Sequence, residues 1–349
     1  MKVIIVTGGT GFIGAHLCEY LLEKYSDEYQ IIAVDDLSGS EEDNIHELRD
    51  KGLHFVKLDL RDQNAVQNSF FSSDFEETYV IHTASAAHEG RSFFTPNENM
   101  SRNDQAYRIF LTEAIKHNLK KIVVFSSMSR YGNGWEGKYR PPFTEDIPTY
   151  PIDPYAVSKV AMEQLTRIQS KIFDFDYTIL VPHNVFGEKQ CYWDPYRNVL
   201  AIWMNLILNG KQPVIYGDGL QTRAFSYIDN CKKQMVDCLF DPATNNEIIN
   251  IGGIKEYTIN DAYAIVAKIA GTDIKAEHFP DRPSEAKHAF CSFQKSEALL
   301  DYKEDFSFED GVVRMWDWVK EKGARPFEYM DRLELTNELT PTTWTKRLF

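Results

Sequence analysis

A chain of 349 residues can hold one large α/β domain with an appended lobe, or two domains. Its net charge of −14 argues against nucleic acid or an anionic membrane as partner, and no apolar run approaches membrane-spanning length. Five scattered cysteines, with no C-x-x-C pair, argue against a disulfide or metal framework; with no N-terminal signal, they point to reduced thiols in a cytoplasm.

The first predicted element is a buried strand over Val3–Val6. It runs into Thr7-Gly8-Gly9-Thr10-Gly11-Phe12-Ile13-Gly14 and then a helix over Phe12–Lys24. A strand that hands a glycine-rich turn to a helix N-terminus is built to receive a dinucleotide pyrophosphate. Gly8 turns sharply, Gly11 lets backbone approach phosphate, and Gly14 lets helix pack on strand, with Phe12 and Ile13 among the cofactor contacts. The spacing is G-x-x-G-x-x-G. A glycine triplet alone is also simply a tight turn.

The second strand, Ile31–Val34, ends at Asp35, whose carboxylate is placed to accept from adenosine ribose hydroxyls. No Arg or Lys follows in Asp36–Glu41, so NAD is favoured over NADP. The third strand, Phe55–Leu58, ends at Asp59 and Leu60; Asp59 is placed to reach the adenine amino group or simply to start a turn. Further strands are predicted at Val80–His82, Ile122–Phe125 and Thr178–Val181, with helices over Asp104–His117 and Tyr155–Phe173. Such alternation means right-handed βαβ units and a parallel sheet. After residue 182 the pattern loosens into a second lobe, and the sheet is expected to be revisited around Phe225–Ile228 and Ile248–Ile251.

Tyr155-Ala156-Val157-Ser158-Lys159 places a phenol and an ammonium on one helix face. The pattern also occurs on plain helix faces. As chemistry, an ammonium beside a phenol and a positive nicotinamide ring both favour phenolate, so with NAD bound Tyr155 is expected to have a lowered pKa and to act as base. Three serines, Ser126, Ser127 and Ser129, leave the fifth strand at its carboxyl end. Ser127 is the candidate to hydrogen-bond the reacting oxygen; capping the next turn is the other reading.

Together these segments resemble the extended short-chain dehydrogenase/reductase family, in its NAD-dependent nucleotide-sugar epimerase/dehydratase branch. The resemblance continues through Ile81–Ser85, Asn103, Ser126–Gly132, Pro182–Gly187, Ile215–Arg223 and Arg282–Glu285. It implies an α/β fold: a Rossmann-type doubly wound parallel sheet with a smaller mixed α/β substrate lobe. The NAD-binding part is expected over 1–182, rejoined by about 225–255. The nucleotide-sugar lobe falls at 183–224 and 256–330, with a C-terminal tail over 331–349.

By the same resemblance Ser127, Tyr155 and Lys159 form the catalytic trio, and Thr83, Ala84, Ser85, Asn103 and Pro182 border the nicotinamide. Asn184, Asn198, Val199, Arg223, Arg282 and Glu285 fall where relatives hold the nucleoside diphosphate. Two arginines supply the positive charge that a diphosphate needs in an acidic protein. Dehydratase relatives carry an acid pair directly after the catalytic Ser or Thr; Met128 and Ser129 stand there instead. The implied activity is C4 epimerisation of a UDP-sugar through a 4-keto intermediate with tightly bound NAD. A dehydrogenase, a reductase or an epimerase at another carbon is the alternative, ahead of a 4,6-dehydratase or a non-catalytic NAD module. A homodimer is implied through the helices starting near Asp104 and Tyr155, with Phe110, Leu111, Val160 and Leu165 facing either core or partner. Ala289 leaves room for an N-acetyl group, while Lys287 and His288 could meet a uronic carboxylate. His183 reads as a buried structural histidine.

Overall fold

A computed structural model describes residues 1–71, 75–283 and 286–349. Six strands, β1 (Lys2–Thr7), β2 (Gln30–Asp35), β3 (His54–Lys57), β4 (Glu77–His82), β5 (Leu119–Phe125) and β6 (Asp176–His183), lie in one sheet with a seventh strand, Glu247–Gly252. The spatial order is Glu247–Gly252, β6, β5, β4, β1, β2, β3, and all the pairings are parallel. This is the doubly wound order, reversing direction between β1 and β4. The connections that leave the carboxyl ends of those two paired strands go to opposite faces of the sheet, which opens a crevice beyond the strand ends.

The sheet centre is apolar because it is covered on both faces. Val3 to Val6, Ile31 to Val34, and Ile122 to Val124 are buried and join one continuous core. The Phe12–Tyr25 helix follows β1 as expected. The Pro154–Phe173 helix starts at an Asp153 cap, whose carboxylate accepts the Ala156 N–H at 2.7 Å, with proline in the first turn. The helix expected from Asp104 begins with a wide turn over Ser101–Gln105 and becomes regular over Ala106–Lys116.

Phe225–Ile228 does not return to the main sheet. Ser226–Tyr227 pairs with Val185–Phe186 in a separate two-stranded ladder, and only Glu247–Gly252 rejoins beside β6. The reason is length: two residues of strand run straight into the helix Ile228–Asp237. The later chain adds a three-stranded patch, Glu256–Thr258, Thr222–Ala224 and His288–Ala289, and a pair formed by Val214–Tyr216 with Glu277–Phe279. The C-terminal segment packs its aromatic residues into a second small core with Phe94, Tyr196 and Trp344.

Candidate active site

The glycine turn is shaped as its spacing demands. Gly8 has φ +69°, and a methyl on it would sit 2.7 Å from the Ala84 nitrogen. A methyl on Gly14 would stand 2.1 Å from the Gly8 carbonyl oxygen, so helix and turn touch backbone to backbone. The helix that begins at Phe12 has no side-chain cap and no acid in its first turn. Its N-terminal N–H groups are thus available to an anion.

A cavity of about 380 Å3 runs from this turn. Gly8, Gly11, Phe12, Ile13, Gly14, Asp35, Asp59, Leu60, Thr83, Ala84 and Ser85 all border it. Eleven expected cofactor residues, scattered over 78 positions of sequence, therefore line one cavity. Asp35 accepts the Leu37 N–H at 2.8 Å and the Thr10 N–H at 3.2 Å. Burial pushes its carboxyl up, and those hydrogen bonds pull it back. Asp59 is gripped by Arg61, with a closest approach of 2.6 Å, which holds its carboxyl below the usual range. Four arginines outside the Asp36–Glu41 stretch also border the cavity. All four are committed to carboxylates: Arg61 to Asp59, Arg102 to Asp36 at 3.1 Å, Arg91 to Glu98 at 3.1 Å and Arg197 to Asp194 at 3.2 Å. The ground for preferring NAD to NADP stands.

Asn103 does something different from bordering the cavity. It is fully buried: its Oδ1 accepts the Ala86 N–H at 2.7 Å and its amide donates to Ser158 at 3.0 Å. It fastens the Thr83–Ala87 loop to the helix bearing Tyr155. Ser158 in turn donates to the Tyr155 carbonyl at 2.6 Å.

Ser127, Tyr155 and Lys159 come together in the fold but, like Pro182, are not among the residues that line this cavity. Ser127 follows β5 and accepts the Ser129 N–H at 3.2 Å, so its hydroxyl also caps the short turn Met128–Tyr131. The same hydroxyl lies close enough to the Tyr155 phenol to favour its ionised form. Lys159 donates to the Phe125 carbonyl at 2.7 Å, with its ammonium 5.7 Å from the Tyr155 ring centre. Of the two readings of Ser127, the turn cap is present.

The protein's own groups do not by themselves lower the Tyr155 pKa. Burial pushes the phenol above its ordinary value, the charge of Glu89 pushes the same way, and the Ser127 hydroxyl only partly offsets them. Burial also pushes Lys159 down to about 7, with Glu163 pulling it back up. The spacing shows the ammonium as a neighbour but not the apolar surroundings that penalise both ions.

Several participants carry no local sequence signal. Glu163 is buried under the trio, ion-paired with Arg130 at 3.0 Å and hydrogen-bonded by Ser126. Asp153 lies beside the phenol and is pushed up to about 7 by burial and by Glu89. On the cavity wall, Asp194 accepts from His88 at 2.8 Å and from Arg197 at 3.2 Å. The only one legible in advance was Asp153, as a cap before Pro154.

The expected substrate residues are spread over positions 184–282, beyond β6. Asn184 has φ +40° and donates to the Ala224 carbonyl at 3.0 Å, and Arg223 follows Thr222 on the adjacent strand. Asn198 caps the helix Val199–Leu208, accepting the Leu200 N–H at 3.3 Å. Arg282 lies over the Tyr216 ring, 5.1 Å from its centre. Glu285 lies outside the described residues. Pro182 sits on β6 opposite Ile251. His183 is fully buried, its Nε2 2.9 Å from the Ala289 carbonyl. His288 is exposed and bonded to Thr222.

A doubly wound sheet with a glycine-lined dinucleotide cavity and a Ser-Tyr-Lys cluster defines an NAD-dependent enzyme of the short-chain dehydrogenase type. The chain belongs to the NAD dependent epimerase/dehydratase family, whose profile matches residues 4–252. It is similar to a putative UDP-glucose 4-epimerase of Methanocaldococcus jannaschii, with 31% identity over 321 residues, 91% of this chain and 98% of that protein. Among solved structures it is similar to the UDP-glucuronic acid 4-epimerase of Bacillus cereus in complex with UDP-glucuronic acid and NAD. Identity is 27% and the TM-score 0.81, covering 92% of this chain and all of the other. It is also similar to DesIV, a dTDP-glucose 4,6-dehydratase from Streptomyces venezuelae with NAD bound. There identity is 26% and the TM-score 0.82, covering 92% and 97% of the two chains.

Proposed function

We propose that this protein is a nucleotide-sugar C4-epimerase acting on a UDP-sugar. One observation carries the choice within the family: the residues after Ser127 are Met128, buried in the core, and Ser129. Neither supplies the acid that elimination of water requires. NAD, when bound, accepts and returns the hydride. The protein's own groups then divide the remaining work. The Tyr155 oxygen takes the proton from the sugar C4 hydroxyl and later restores it. Ser127 aligns that oxygen with the reacting hydroxyl. Lys159 holds the phenolate by charge and is placed to bond the nicotinamide ribose. Between the two transfers the 4-keto sugar presents its opposite face, so the hydride returns with inverted geometry.

Arg223 and Arg282 are assigned to the diphosphate, with Asn184, Asn198, Val199 and Glu285 around the nucleoside. Ala289 is small and buried in the strand beside Arg223, which supports space for an N-acetylated sugar. The surface position of His288 counts against it as a partner for a uronic carboxylate.

We place the homodimer contact on the Pro154–Phe173 helix. Val157, Ile168 and Ile172 are exposed on it, whereas Phe110 and Leu111 are core residues and leave the candidate face. Five free, buried cysteines support a reducing cytoplasmic setting. Among the described residues, no helix is long and apolar enough to cross a membrane. The division into an NAD part over 1–182 and a sugar-nucleotide lobe is retained as our assignment.

The deciding experiment incubates the purified protein with UDP-, GDP- and CDP-sugars and follows product mass. An isomer of equal mass from a UDP-sugar is expected, with no net change in NADH absorbance. Loss of water would make it a dehydratase, and loss of two hydrogens a dehydrogenase.

A further inference from the structure

The segment from Arg325 to Phe349 crosses from the second lobe to the Rossmann side. On the lobe, the Arg325 guanidinium lies 3.6 Å from the centre of the Trp193 ring, and the Glu328 N–H reaches the Trp193 carbonyl at 2.9 Å. On the other side, the Glu334 carboxylate accepts the N–H groups of Asn97 and Glu98 at 3.0 and 2.7 Å. The Leu335 N–H donates to the Phe94 carbonyl at 3.0 Å. The chain then turns back and buries Trp344 edge-on against Phe94 and Tyr196.

This strap ends at Arg282. The Thr343 hydroxyl shares a 2.5 Å hydrogen bond with the hydroxyl of Tyr216, whose ring lies under the Arg282 guanidinium. A methyl on Gly90 would sit 3.4 Å from the Trp344 ring and 3.5 Å from an Arg282 nitrogen, so the three residues converge. Gly90 belongs to the short helix Glu89–Ser92, and the Ser92 hydroxyl accepts the Tyr155 N–H at 3.2 Å. The strap therefore sets Arg282 at a defined place relative to the start of the helix that bears Tyr155.

We propose that Thr343 and Trp344 are positioning residues for the nucleotide sugar, holding Arg282 against Tyr216 so that its guanidinium meets the diphosphate while the sugar lies on Tyr155. The proposal rests on the assignment of Arg282 to the diphosphate. Arginine side chains lose much rotamer freedom on binding, and a guanidinium already held on an aromatic face loses less.

The test uses the NAD-loaded full chain and measures binding of UDP, GDP and CDP by calorimetry. Thr343→Val is expected to weaken the best of these ligands about fivefold, and Trp344→Phe less than that. NAD content is expected to stay as in the wild type, while the melting temperature falls modestly because both side chains are buried. In an Arg282→Ala background, where UDP binding is already weakened, Thr343→Val is expected to add nothing. Undiminished binding by Arg282→Ala, or no binding of any of the three by the wild type, would overturn the diphosphate assignment and the strap's role with it. If Arg282→Ala weakens binding but Thr343→Val does not, or if the two losses are simply additive, the strap proposal alone is overturned.

Discussion

Glu163 tests how the catalytic pair is electrically supported. Its carboxylate is 0% exposed, pairs with Arg130 at 3.0 Å and is hydrogen-bonded by Ser126. Breaking a buried ion pair by removing one charge costs about 3–5 kcal/mol, because the surviving charge stays desolvated. Glu163→Gln preserves shape and one acceptor, so the lower end, about 3 kcal/mol, is expected. The substitution has a second effect. Burial pushes Lys159 down to about 7, and Glu163 is the group that opposes it. Unit charges one helical turn apart, about 6 Å, interact by roughly 3 kcal/mol at an effective dielectric of about 20. Without that support Lys159 loses its proton at lower pH. The ammonium is the working form, present below its pKa and lost as pH rises through it. The alkaline limb of kcat/KM should therefore move down by about one to two pH units. Urea unfolding at pH 6 and a kcat/KM profile from pH 5 to 9 measure the two effects. Wild-type stability would refute the buried-pair argument; reduced stability with an unmoved alkaline limb would refute the link to Lys159.

Tyr155→Phe should lower kcat by about a thousandfold or more while NAD stays bound, and Ser127→Ala by about a hundredfold; a near-wild-type rate for Tyr155→Phe would remove the proposed base. Gly14→Ala puts a methyl 2.1 Å from the Gly8 carbonyl oxygen, so protein purified from this variant should release little or no dinucleotide on denaturation. Undiminished NAD content would mean the turn can open. Acid should destabilise the fold through its buried histidines. Burial pushes His16, His88 and His183 down to about 4 and His82 to about 3. With folded values below the unfolded 6.5, their contribution is complete above pH 6.5 and is lost as pH falls toward 4, by about 1.4 kcal/mol per histidine and pH unit. The urea midpoint should be clearly lower at pH 5 than at pH 7, and equal midpoints would refute that reading.

What was legible in the chain was whatever a short segment decides for itself. The turn from Gly8 to Gly14 needs particular backbone conformations and contacts that local spacing announces. Asp35 follows from ending a strand, and Ser127, Tyr155 and Lys159 from the ends of β5 and the next long helix. The parallel sheet follows from alternating apolar runs and amphipathic helices. What was missed depends on distant segments meeting. Glu163 reads as an ordinary helix acid until Arg130, 33 residues earlier, is seen against it in a dry interior. Arg61 and Arg102 lie far from the Asp36–Glu41 window, yet the fold brings both to the same cavity. Phe225–Ile228 has the composition of a sheet strand, but two extended residues before a helix can only pair locally with Val185–Phe186. The effect of burial on Tyr155 is of the same kind. A lysine four residues away was visible, while the cost of charging either group depends on packing from β5, Glu89 and the Pro154–Phe173 helix together. A base held in its neutral form by burial, beside an ammonium with a pKa lowered to about 7, is poised to change state when one further charge arrives. The bound oxidised cofactor brings such a charge, which would tie activation of the phenol to the only state of the site able to accept hydride.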